Sequence, residues 1–150
     1  MARDRGGTRA RQRARQLLVK ALYQWQLAGH SAAEITKQFA ADEGFERCDR
    51  DYFDALLAAA IDNAATLDEM IARQAARGLE NLDAVGRAIL LLALAELKYR
   101  DDVPTKVVIN EAVELAKRYG AAESYKFVNA LLDRSARELR GGAAPAEAKA

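Results

Sequence analysis

Arg3, Arg5, Arg9, Arg11, Arg13 and Arg15 fall within the first fifteen residues, and Gln12, Gln16, Lys20 and Tyr23 lie among and just after them. Guanidinium groups hold phosphates, amides read base edges, and a ring or guanidinium plane takes an unstacked base. Together these residue types supply the chemistry of single-stranded RNA recognition. Spacing decides which of them share a surface. From Thr8 to Ala28, Ala10, Ala14, Leu17, Leu18, Ala21, Leu22 and Trp25 recur at helical period. That stripe leaves Arg9, Gln12, Arg13, Gln16, Lys20 and Tyr23 on the opposite face, with Arg11 and Arg15 flanking it. The competing reading is a solvated charged face, the usual fate of such runs. A membrane-surface helix fits less well, because the stripe is only moderately apolar and contains three alanines.

Charge supports a polyanion partner at one end. The 150-residue chain has a formal net charge of +1, but residues 1–20 carry +6 and the remainder −5. Such a length suits one domain that buries a core without staples. Ala, Leu, Glu, Arg and Lys dominate and only two prolines occur, so the composition predicts an all-α fold. Cys48 is the sole cysteine and His30 the sole histidine, which excludes an internal disulfide and gives no zinc site. No Gly-rich phosphate loop, carboxylate array or Ser/His/Asp set is present. The expectation is therefore a non-enzyme with neither metal nor cofactor. The basic N-terminus is not followed by an apolar signal region, and no apolar run is long enough for a membrane span; a cytoplasmic location is expected.

The helices that must position these groups can be read in order. Residues 1–7 lack apolar periodicity and are expected to form a mobile basic arm, with Thr8 capping the first helix. Ser31 is placed to cap a short helix carrying Ile35 and Phe39 inward. Asp49 caps a long apolar stripe from Tyr52 towards Arg77, with a break expected at Asn63 or Thr66. Gly78 closes it. Between Leu82 and Lys98, the run Ala88–Ala95 has no polar residue on any side, which marks a core helix. Asp101 and Asp102 then precede Pro104, where capping is the expected role. Val103 to Asp133 reads as two amphipathic helices meeting at Gly120, a residue suited to a left-handed helix end. Glu123 and Phe127 share one edge of the second helix, either closing the core margin or forming a docking edge. Residues 8–140 are expected to form one domain of six or seven helices in two packed halves, about 8–78 and 82–140, with a disordered tail over 141–150.

Three stretches carry a family resemblance: ARQLLVKALYQWQ, LDAVGRAILLLALAEL and above all VPTKVVINEAVELAKRYGAAESYKFVN. Together they resemble the NusB family of bacterial transcription antitermination factors, over roughly Arg9 to Arg137. The resemblance implies an all-helical adaptor without catalytic activity. It would pair with NusE, a small-subunit ribosomal protein, and bind boxA RNA, working with other Nus factors on the RNA polymerase elongation complex to support ribosomal RNA transcription. By position, it implies RNA contact at Arg9, Arg11, Arg13 and Arg15, beside Gln12 and Gln16. Partner contact is implied at Tyr23, Glu80, Glu123 and Phe127. The chain departs from the family pattern at Leu91, Ala95 and Ala130, where relatives commonly carry arginine, tyrosine and glycine. Local repacking is the expected consequence. Whether the free chain is a monomer or a homodimer is left open. NusB-like modules also precede the catalytic part of some ribosomal RNA methyltransferases, but a chain of this length is expected to leave no room for such a part. A duplex-binding helix-turn-helix is the other alternative, separated by its preference for double-stranded DNA.

Overall fold

The computed structural model describes residues 2–42, 44–75 and 82–141. Among them the chain forms seven α-helices and one 3₁₀ turn, with no strand. The order is α1 (Ala2–Ala28), α2 (Ala32–Ala40), the turn at Phe45–Arg47, α3 (Arg50–Asp62), α4 (Ala64–Gln74), α5 (Ala84–Tyr99), α6 (Thr105–Tyr119) and α7 (Ser124–Leu139). The all-α expectation therefore holds.

Residues 88–95 are buried on every side, as a run with no polar side chain requires. Around this segment α5 packs against α1, α3, α4, α6 and α7. α6 and α7 pack on each other as well as on α5, α1 packs on α3, and α4 also touches α7. Leu91 and Ala95 are fully buried members of the single core cluster, so the core closes there by packing alone.

Local chemistry sets the helix boundaries. The Ser31 hydroxyl accepts from Glu34 N–H at 3.1 Å while the Glu34 carboxylate accepts from Ser31 N–H at 3.0 Å, a complete capping box. Asp49 caps α3 through Tyr52 N–H at 3.1 Å, and the expected break falls at Asn63, between α3 and α4. Asp83 caps α5 by accepting from Gly86 N–H at 2.7 Å.

Three local expectations are corrected. α1 begins at Ala2, so Thr8 lies inside the helix instead of capping it. Arginine and alanine favour helix even where no face is buried, so missing apolar periodicity did not stop it. Gly120 is not left-handed, with φ −86°; a Cβ there would lie 2.7 Å from the Ala116 carbonyl oxygen, so the position needs space, not a special dihedral. The left-handed residue is Glu123, at φ 70°, immediately before α7. Asp102 does not cap α6. It receives Arg100 Nε and Nη2, each at 3.0 Å, because the guanidinium two residues back offers a better-matched fork than the helix start, whose N-cap position Pro104 occupies. The expectations for Gly78, Glu80 and the tail beyond Gly141 fall on residues outside those described.

Candidate nucleic-acid interface

The outer face of α1 carries Arg9, Gln12, Arg13, Gln16, Lys20 and Tyr23, all exposed except the half-buried Gln16. Among the described residues, Arg9, Arg13 and Lys20 take part in no ion pair. Gln12 Nε2 donates to Glu111 Oε2 at 3.0 Å across to α6. Gln12 and Gln16 form one wall of a groove of about 500 Å³; Glu111, Glu114, Lys117 and Arg118 of α6 form the other. Arg13 leans the other way, with its guanidinium 3.9 Å from where a Gly44 Cβ would stand.

Arg11 and Arg15 point elsewhere. Arg15 is only 4% exposed and its partner Glu96, on α5, 1%. Arg15 Nε and Nη2 donate to the Glu96 carboxylate at 3.1 and 2.9 Å, and Nη2 also reaches the Tyr52 hydroxyl at 3.3 Å. The Tyr52 hydroxyl donates to Glu96, and Glu111 lies 3.8 Å from Arg15 Nη1. Burial opposes the Arg15 charge, but the hydrogen bonds and negative charge of Glu96 outweigh it and hold the guanidinium above its ordinary value. Burial, together with the Glu96 charge, pushes the Tyr52 phenol well up, so it stays protonated and keeps donating. Arg15 is thus a buried structural cation. For Arg15 to serve as the expected phosphate contact it would have to leave Glu96 as an unpaired buried charge.

Arg11 is intermediate. Its guanidinium stacks 4.3 Å from the centre of the Tyr52 ring and lies 3.5 Å from Asp49 and 3.9 Å from Asp102. Arg100 approaches the same ring at 4.8 Å. Arg11 therefore belongs to a junction of α1, α3 and the α5–α6 connection, on the other side of the helix from Arg9 and Arg13.

The expected partner residues that are described fall on α1 (Tyr23), on α7 (Phe127) and in the turn just before α7 (Glu123). Tyr23, 40% exposed, lines a predominantly apolar groove of about 530 Å³ with Lys20, Leu27, Phe39 and Tyr119. Leu27 is 68% exposed. Tyr119 ends α6, and the turn beyond it leads to the exposed Glu123, which pairs with Lys126 at 2.6 Å. Phe127 is half-buried against the core one turn into α7. Glu80 lies outside the described residues. Sequence reasoning missed Leu27, Tyr119, Lys117 and Arg118. Leu27 falls off the apolar stripe of its helix, which is a legible signal; Lys117 and Arg118 read as ordinary last-turn cations complementing the helix dipole.

These features define a compact all-α module with a basic, amide-bearing face on its first helix. Among the described residues there is no group of side chains that could hold a metal, and no helix is long and apolar enough to cross a membrane. The NusB family model matches residues 12–137. A curated transcription antitermination protein NusB from Alcanivorax borkumensis is 49% identical over 131 residues, covering 87% of each chain. Its counterpart in Photorhabdus laumondii is 50% identical, covering 87% of this chain and 95% of that one. A solved structure of T. maritima NusB superposes with a TM-score of 0.74 at 34% identity, covering 85% of this chain and 91% of that one. This chain belongs to the NusB family.

Proposed function

We propose that this chain is a non-catalytic RNA-binding adaptor in transcription antitermination. In this reading the outer face of α1 holds boxA RNA, and the surface around Tyr23, Glu123 and Phe127 docks NusE. The observation that carries it is the division of the arginines on α1. Among the described residues, Arg9 and Arg13 stay exposed without a carboxylate partner, next to two glutamines, while nearby Arg11 and Arg15 are engaged with the protein itself. Unpartnered guanidinium groups beside amides suit phosphates and base edges. Neither protein alone covers the whole RNA element, so pairing adds contacts without a second encounter cost. Other Nus factors and the RNA polymerase elongation complex complete the assembly.

Fluorescence anisotropy of a labelled boxA RNA, with and without NusE and across a salt series, tests the reading. The Arg9→Ala/Arg13→Ala double variant is expected to stay folded and bind more weakly, with a salt slope shallower by about 1.4, the loss of two single-strand phosphate contacts. An unchanged slope in the folded variant removes the α1 face from RNA binding. For the docking surface, Phe127→Ala is expected to weaken NusE pairing, read by calorimetry, while the far-ultraviolet circular dichroism stays helical. Intact pairing would exclude that residue.

A further inference from the structure

The groove between α1 and α6 has a chemical division that the RNA-binding reading leaves unused. Lys117 and Arg118 of α6 line it, while Arg9, Arg13 and Lys20 lie exposed on the outer face of α1, outside its lining. Gln12, Gln16, Glu111 and Glu114 line it as well, together with the buried Leu115. The amide of Gln12 has a fixed orientation. A carboxylate only accepts, so the 3.0 Å bond to Glu111 is made by the Gln12 NH₂ group, and the Gln12 carbonyl oxygen is left as a further acceptor. Glu111 is itself steadied from below, 3.8 Å from the buried Arg15 guanidinium. The groove lining is therefore rich in acceptors, and its Glu111 is tied to the core.

We propose that this groove is a nucleotide subsite that seats one unstacked base of a single-stranded RNA. Lys117 and Arg118 hold the flanking phosphate, and the Glu111 and Gln12 oxygens accept from the base edge. An acceptor-rich lining favours bases that present an exocyclic amino group, namely adenine, cytosine and guanine, over uracil, which offers a single ring N–H. A volume of about 500 Å³ is in the range of small-ligand sites and leaves room for a base with its ribose. The subsite lies against the outer face of α1, so a strand held by Arg9 and Arg13 reaches it without leaving the protein. The inference rests on the RNA-binding reading and extends it onto α6.

Anisotropy titrations with labelled oligo(A), oligo(C) and oligo(U), across a salt series, test it on the full chain. The Lys117→Ala/Arg118→Ala variant is expected to bind oligo(A) roughly 10-fold more weakly at low salt, with a slope shallower by about 0.7, the loss of one single-strand phosphate contact. The intact protein is expected to prefer oligo(A) and oligo(C) over oligo(U), and Gln12→Leu to level that preference. Gln12 lies on the surface, so thermal melting should be unchanged and the variant remains informative. An unchanged slope in the α6 variant, or no base preference in the intact protein, overturns the subsite. If the α6 variant lowers NusE pairing instead and leaves RNA affinity intact, the groove is a protein-docking site and the proposal is wrong. The Arg9→Ala/Arg13→Ala variant separates the two levels. If it too binds all three RNAs unchanged, the RNA-binding reading fails; if it alone is weakened, only the α6 subsite fails.

Discussion

Arg13 and Arg15 are two residues apart on one helix and have opposite fates. Arg13 is exposed and has no ion-pair partner among the described residues, whereas Arg15 is enclosed by Glu96, Tyr52 and Glu111. Residue type does not separate them, and neither does local sequence. What separates them is which helix each faces: α1 turns Arg15 towards α5 and α3, and Arg13 past the 3₁₀ turn. A basic stretch can therefore hold two populations of cation, one binding the fold together and one available to a ligand. Counting charges along the chain overstates the second.

The sharpest way to break this contrast is Arg15→Ala. It leaves Glu96 charged and unpaired in the core, and a loss of about 3–5 kcal/mol in urea unfolding is expected. Arg13→Ala should stay within about 0.5 kcal/mol of the parent. Comparable losses for both would mean that the two sides of α1 do not differ in kind. An RNA-binding test that mutates Arg15 would therefore confuse unfolding with lost contact.

The phenol of Tyr52 gives a pH signature of the inner side. Its folded-state pKa is raised above the unfolded value, so its contribution is fully present below the ordinary phenol range near about 10. As pH rises beyond that, the unfolded chain releases the proton first, and stability should fall by up to about 1.4 kcal/mol per pH unit. Urea midpoints measured from pH 8 to pH 11 should show this decline, and Tyr52→Phe should flatten it. A decline of the same steepness in the variant would assign it to other groups.

Arg11→Ala is expected to fall between the extremes, at about 1 kcal/mol, because a stacked ring and two partly exposed carboxylates give a modest return. A double-mutant cycle with Tyr52→Leu measures the coupling directly. Additive losses would show that the stacking carries no energy.

Much of the fold was legible in the sequence. The unbroken apolar run in α5 could only be a core helix, and the Ser31 and Asp49 caps could be read from local spacing. The outer face of α1 was legible too, since helical period alone places Arg9, Gln12, Arg13 and Gln16 together. The fate of Arg15 was not, because Glu96 lies 81 residues away and Tyr52 37. Period put Arg15 at the margin of the stripe, where inward and outward are equally open, and a distant carboxylate decided it. Gly120 and Glu123 misled for a related reason. Glycine suggested a left-handed turn, but the chain needed that glycine for clearance and placed the positive dihedral three residues later. The α1–α6 groove exists only once the helices are assembled, so no spacing rule within either helix reveals it.

A helix that is apolar on every side has no inherent way to tell one of its faces from another, and α5 is nearly such a cylinder. Glu96 is its one buried charged residue. Because the carboxylate must meet Arg15 and Tyr52 together, it works as an index mark that fixes the rotational setting of α5 about its axis. The hairpin of α6 and α7 rides on α5, so the same mark also fixes how far Lys117 and Arg118 stand from Gln12 and Gln16. A single buried ion pair thereby calibrates the spacing of a surface that it meets only through Glu111.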